Sequence, residues 1–212
     1  MKKVIIISLM SCLVLGMVFA NGLKVGVEAG YGSYQQAFID KDDSYSYLKT
    51  LRNGFYGSAS FEFDASESFG LKAEIGVLKP MKEYLSVRAS KDDTPSMDEV
   101  PSDYANYDPL FTGYLGLQFN AGLSDALSLG LGAGMDVMLE KDDEDKLYIA
   151  IGAGAEVIAS VGISDSLALN VGGKFGYYFV NTSDSVNDTA KLLGCRYASL
   201  SWKAFAGATI IL

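Results

Sequence analysis

Residues Ser124–Leu139 read SDALSLGLGAGMDVML, with glycine at 130, 132 and 134. A glycine-rich run straight after an apolar strand is how a phosphate-cradling loop begins. A dinucleotide fingerprint, however, needs its next glycine at 135 together with a helix start. Position 135 is Met, and a two-residue alternation runs on through Val137 and Leu139. Gly130, Gly132 and Gly134 share one face with Ser128 and Asp136, whereas Leu129, Leu131, Ala133 and Met135 share the other. The stretch therefore reads as a strand with one apolar side and one small, polar side.

The same period of two extends over most of the chain. From Leu23, the positions Leu23, Val25, Val27, Ala29 and Tyr31 alternate with Lys24, Gly26, Glu28, Gly30 and Gly32. Residues 54–63 set Phe55, Ala59, Phe61 and Phe63 against Tyr56, Ser58, Ser60 and Glu62. Residues 69–78 set Phe69, Leu71, Ala73, Ile75 and Val77 against Lys72, Glu74 and Gly76. Further runs lie near 110–123, 127–139, 147–163, 167–180 and 196–212. Most of these eight strands reach the roughly 9–11 residues that a membrane crossing needs, against about 5–6 in ordinary sheets.

Connections alternate between tight and long. Ala65–Ser68, Ser124–Ala126 and Ser164–Ser166 are tight; about 35–52, 79–109, 140–146 and 181–195 are longer and mostly polar. That alternation predicts an all-β fold: an eight-stranded antiparallel up-and-down transmembrane β-barrel with short turns on one rim and longer loops on the other. GLSDALSLGLGAG at 122–134 returns as GISDSLALNVGGK at 162–174, one hairpin unit recurring.

Alternation alone leaves open which face is outside. Apart from Arg196, the first residue of the last run, the apolar register contains no Asp, Glu, Lys or Arg, although 20% of the chain is charged. The opposite register is rich in Gly and Ser, including Gly26, Gly30, Ser58, Ser60, Gly76, Gly116, Gly152, Gly154 and Gly172. Glycine weakens a solvent-facing strand, whereas in an eight-stranded barrel small residues make room for large neighbours in a lumen barely wide enough for side chains. The polar face is thus expected to line the lumen. On the apolar face, Phe61, Phe63, Phe69 and Phe119 fall near the tight turns, and Tyr31, Phe55, Phe111, Tyr177, Phe179 and Trp202 near the long loops. Two such bands suit the aromatic girdles of a membrane barrel.

These features make the sequence resemble the small eight-stranded outer-membrane barrels of the OmpX, OmpW and OmpA-barrel type over nearly all of the chain beyond residue 20. The resemblance implies residence in outer-membrane lipid and delivery by the barrel-assembly machinery. Such proteins commonly end in an aromatic residue; here the last strand alternates through Ala204, Ala206, Ala208 and Ile210 to Leu212.

The first twenty residues, MKKVIIISLMSCLVLGMVFA, have the layout of a secretory signal cleaved near Ala20, placing the protein in the outer membrane of a diderm bacterium. Leu9-Met10-Ser11-Cys12 looks like a lipoprotein box, and lipidation of Cys12 is left open. Loss of Lys2 and Lys3 takes the net charge from −9 to −11, which disfavours nucleic acid. The chain has no histidine, the commonest general base and metal ligand, and one cysteine beyond the leader, Cys195. No catalytic residue, metal site or cofactor is expected, and the barrel is expected to be a monomer. Asp142-Asp143-Glu144-Asp145 lacks the spacing of a calcium loop.

Nine charged residues fall in the lumen register: Lys24, Lys72, Lys174 and Lys203 against Glu28, Glu62, Glu74, Asp136 and Glu156. Turn geometry sets Glu156 opposite Lys174 and Glu62 near Lys72. Charges so confined must be paired or wetted, so a salt-bridged plug is expected, with a gate or narrow polar path as the alternative; the alternative function is a narrow channel or conduit for small solutes, hydrophobic ones included, across the outer membrane. The loops 35–52 and 79–109, with Tyr45, Tyr47, Tyr84, Tyr104 and Tyr107, are candidates for contact with an extracellular ligand.

Overall fold

The computed structural model describes residues 22–39, 46–66, 68–88, 96–141, 146–192 and 195–212. The leader, Cys12, Tyr45 and the acidic run 142–145 lie outside the described residues. Among the described residues nine strands and a helix follow in order: β1 (Gly22–Ile39), β2 (Ser46–Ser66), β3 (Phe69–Val87), β4 (Asp98–Glu99), β5 (Leu110–Gly122), β6 (Leu127–Lys141), β7 (Leu147–Ser164), β8 (Leu167–Asn181), α1 (Asp184–Leu192) and β9 (Arg196–Ile211). All pairings are antiparallel, and β1 bonds both β2 and β9, so eight of the strands close into a ring. Closure leaves no unpaired sheet edge within the wall. The two-residue β4 lies outside the ring, on the loop-side end of β3.

The staves are 13 to 21 residues long, more than a crossing requires. Among the described residues no helix is long and apolar enough to cross a membrane. The two rims differ as the sequence implies. Tight turns join β2 to β3, β5 to β6 and β7 to β8, and the start of β1 and the end of β9 lie at that same rim. There the Leu212 N–H donates to the Leu23 carbonyl at 2.9 Å.

The long connections are more ordered than composition suggests. Residues 35–39 and 46–52, read from sequence as loop, extend β1 and β2, pairing Gln35 with Leu51 and Ala37 with Lys49. Residues 79–87 extend β3 opposite Leu48–Phe55. Apolar residues on and beside these extensions explain the difference: Ala37 and Phe38 are buried, next to the buried Tyr34 and Leu78 where the extensions begin. Within the 181–195 segment Asp184–Leu192 form α1, whose first turn is capped by Ser183 Oγ accepting from the Val186 N–H at 3.4 Å. Cys195, buried at its foot, donates its N–H to the Ala190 carbonyl at 3.0 Å.

The outer wall is apolar. Val27, Ile75, Leu117, Leu131, Met135, Val157 and Val171 are exposed on the middle of the staves. In water such a continuous apolar belt would be an aggregation surface; in a bilayer it is the solvated face. Tyr31, Phe55, Phe111, Tyr177, Phe179 and Trp202 are exposed towards the loop rim, and Phe61, Phe69 and Phe119 towards the turn rim. Tyr31 contacts Phe55 and Trp202 at ring separations of 6.4 and 6.3 Å. Phe63 departs from the expected girdle. It keeps the outward register between Leu23 and Leu71, but is only 4% exposed, because large apolar side chains flank it on both neighbouring strands.

Candidate functional site: the barrel lumen

The inward register places the charged side chains in a cylinder where each must find a partner. The nine residues read from the sequence separate into groups. Glu28 of β1, Lys72 and Glu74 of β3, Glu156 of β7 and Lys174 of β8 converge at mid-barrel, all buried. Lys72 Nζ lies 3.3 Å from Glu28, 2.9 Å from Glu156 and 3.6 Å from Glu74. Lys174 Nζ lies 2.7 Å from Glu28 and 3.6 Å from Glu156, and also bonds Glu74. Two ammonium groups are thus shared among three carboxylates, the five residues coming from four strands. Tyr56 donates its hydroxyl to Glu74, and Ser58 donates to Glu28 at 3.1 Å.

Closer to the turn rim, Lys24 bridges Glu62 at 3.1 Å and Asp64 at 3.0 Å, while Asn120 Nδ2 donates to Glu62 at 2.7 Å. Glu62 does stand opposite Lys72 in register. Their side chains nevertheless diverge, because Lys72 turns inward to the denser set of carboxylates. Glu156 stands opposite Lys174 in register, and the two form one edge of the larger group. Asp136 accepts from the Tyr178 hydroxyl at 3.1 Å, and Lys203 Nζ lies 4.9 Å from the Tyr56 ring centroid.

An apolar layer overlies this charged one. Tyr34, Tyr56, Leu78, Leu110, Met138, Ala150, Tyr178 and Phe205 form a single buried cluster on the inward register together with Ile158, which lies on the turn side of the lumen. Tyr34 and Tyr178 meet edge to face at 5.9 Å. Beyond it, towards the loops, lies a second charged layer. Arg52 of β2 pairs with Glu83 of β3 at 3.2 Å and with Glu140 of β6, and Gln36 Nε2 donates to Glu140 at 2.9 Å. Glu83 also accepts the Asn106 N–H at 2.6 Å, fastening the long loop across this end.

The sequence reading assigned neither the apolar layer nor Arg52, Glu83 and Glu140 to the lumen. Arg52 and Glu140 keep the inward parity of Tyr56 and Asp136, so extending the alternation past the strand ends would have found them. Glu83 has the opposite parity to Lys72 and Glu74. A register shift explains this: Gly54 pairs with Pro80 but Asn53 pairs with Lys82, leaving Met81 as the extra residue of a bulge. Proline, which cannot donate to the ladder, sits at that irregularity.

The glycines of β6 seat lumen side chains. A Cβ on Gly130 would stand 2.4 Å from Gln118 Nε2, one on Gly132 2.6 Å from Glu156 Cγ, and one on Gly134 2.3 Å from the Gly116 Cα. The smooth strip is thus occupied by neighbours reaching across it. On the turn side the lumen opens into a cavity of about 290 Å³ walled by Ser60, Gln118, Asn120, Ser128, Ser160 and Asn170. Between Asp136, Lys203 and the mid-barrel cluster only about 10 Å³ remains, the space of a single water. Among the described residues no group of His, Cys, Asp and Glu could hold a metal ion.

No protein-family model matches the chain, and no curated protein matches it in sequence. Among solved structures it is similar to Neisserial surface protein A, at 11% identity and a TM-score of 0.54, over 89% of this chain and 96% of that one. Two Pseudomonas aeruginosa structures also align. The outer membrane protein OprG does so at 10% identity and a TM-score of 0.49, over 91% of this chain and 97% of that one. The N-terminal β-barrel domain of OprF does so at 9% identity and 0.48, over 89% and 97%. The likeness is one of fold: the chain is built as the small outer-membrane β-barrels are.

Proposed function

We propose that the chain is an integral outer-membrane protein of a diderm bacterium, monomeric in the lipid, whose barrel is sealed and whose work is done at its loop-side surface. The observation that carries this reading is the stack inside the barrel. The Glu28–Lys72–Glu74–Glu156–Lys174 layer, the tyrosine-rich apolar layer and the Arg52–Glu83–Glu140 layer lie in series. A solute crossing would have to part buried ion pairs, at several kcal/mol each, and then an apolar plug. The seating of Gln118 and Glu156 on the β6 glycines supports a sealed lumen over the alternative of a narrow conduit for small hydrophobic solutes.

At the loop end, the extended β1–β3 and the tethered 96–109 segment form a rigid platform. Tyr104 stands almost fully exposed on it, beside Asp98, Glu99, Asp103 and Asp108. An exposed tyrosine among carboxylates suits contact with a partner carrying basic groups.

Swelling of proteoliposomes tests this reading. Vesicles carrying the refolded protein are expected to swell in arabinose or glycine no faster than protein-free vesicles. Swelling that scales with protein content would instead support the conduit.

A further inference from the structure

The mid-barrel charges do not balance when all are ionised. Glu28, Glu74, Asp136 and Glu156 set four carboxyl groups against the three ammonium groups of Lys72, Lys174 and Lys203, and all seven residues are buried. Lys24, Glu62 and Asp64 pair among themselves nearer the turns. A buried charge left without a counter-charge is so costly that the group is held neutral instead. One carboxyl group of the four is thus a candidate to carry a proton.

The four are unequally supplied with donors. Glu28 uses both oxygens, accepting from Lys72 at 3.3 Å on one and from Ser58 at 3.1 Å and Lys174 at 2.7 Å on the other. Glu74 also uses both, accepting from Tyr56 on one and from Lys174 on the other. Asp136 accepts from Tyr178 at 3.1 Å; its Oδ1 is unpartnered, but Asp136 and Lys203 line the same water-sized space, where their charges offset each other. Glu156 takes both of its lysine contacts on one oxygen. Oε2 lies 2.9 Å from Lys72 and 3.6 Å from Lys174, whereas Oε1 is buried with no hydrogen-bond partner.

What stands beside Glu156 Oε1 separates it from Asp136. Gln118 Oε1, a second buried acceptor with no donor, lies 2.7 Å from the point where a Cβ on Gly132 would stand, and Glu156 Oε1 lies 2.8 Å from that point. Two acceptors converging without a donor leave both desolvated and uncompensated. A proton on Glu156 Oε1 makes it a donor and satisfies both oxygens at once. An ion would need room that a proton does not. The pocket that Glu156 lines holds about 10 Å³, one water, and the Lys174 and Lys203 side chains also line it.

We infer that Glu156 is a proton-binding site, held as a neutral carboxylic acid with its Oε1–H donating to Gln118 Oε1. The proton is taken up from solvent as the barrel closes around the side chain. Lys72 and Lys174 then balance Glu28 and Glu74, Lys203 balances Asp136, and the layer carries no net charge.

Infrared spectroscopy of the refolded protein in an ester-free detergent at neutral pH tests this, because a protonated carboxyl group absorbs above the amide I band and a carboxylate does not. One such band is expected. Glutamate labelled with ¹³C in its side-chain carboxyl should move the band, and aspartate labelled in the same way should not. Glu156→Gln should abolish it. Gln118→Leu, which removes the acceptor, should raise its frequency. Heat-modifiable gel mobility reports that each variant has folded. If Glu156→Gln does not fold, the two labels and the Gln118→Leu shift decide. The site is overturned by the absence of the band, by a band that labelled aspartate moves, by one that survives Glu156→Gln, or by an unchanged frequency in Gln118→Leu.

Discussion

Two charged layers divide the lumen, and they differ in how they are built. The mid-barrel layer draws Glu28, Lys72, Glu74, Glu156 and Lys174 from four staves and puts both lysines in contact with all three carboxylates. The loop-side layer hangs on one guanidinium, Arg52, between Glu83 and Glu140, with Gln36 and the Asn106 amide filling the remaining valences. The first is redundant and lies deep; the second is a single hub near the rim. Redundancy means that no single carboxylate is essential to pairing at mid-barrel, but each lysine serves several charges at once.

The largest expected effect therefore comes from removing a lysine. Lys174→Met leaves Glu28, Glu74 and Glu156 with the one ammonium of Lys72 between them, and should cost about 3–5 kcal/mol in reversible urea unfolding from lipid vesicles. A loss below about 1 kcal/mol would mean that water already screens this layer. The matching change at the hub, Arg52→Met, strands two buried carboxylates nearer to water. Its expected cost is about 1–3 kcal/mol in the same assay, so a larger loss than for Lys174→Met would invert the comparison.

What the sequence disclosed follows from this same contrast. The mid-barrel residues lie inside uninterrupted alternation, where parity alone assigns a face, and all five were assigned to the lumen. Arg52 and Glu140 lie where polar composition resembles loop, although their parity is unbroken. Glu83 lies beyond the Pro80–Met81 bulge, which shifts parity by one; Pro80 is the local mark of that irregularity, but it does not say which residue is extruded. The apolar layer was hidden for another reason. Tyr56, Leu78, Met138 and Phe205 share the register of charged residues, and alternation read as polar against apolar has no place for a core inside the polar face. Phe63 shows the converse, an outward residue shielded by its neighbours.

Packing gives a third test. Gly134→Val would drive methyl groups into the Gly116 Cα and the Leu115 carbonyl, each 2.3 Å from the Cβ position. An expected loss of about 1–3 kcal/mol, seen as a lower urea midpoint, would tie the glycine strip to close packing. A neutral result would favour an open strip in its place. The smallest effect is expected outside the wall. Trp202→Ala removes one girdle ring and its contact with Tyr31, for about 0.5–1.5 kcal/mol, with the lumen layers unchanged.

The central claim is that the stacked layers close the barrel, and single-channel recording across a planar bilayer tests it most directly. Wild-type protein, verified as folded by its heat-modifiable gel mobility, is predicted to give no steady unitary current under applied voltage in potassium chloride. Steady, reproducible unitary conductance from that same preparation, absent from mock-refolded controls, would contradict the account.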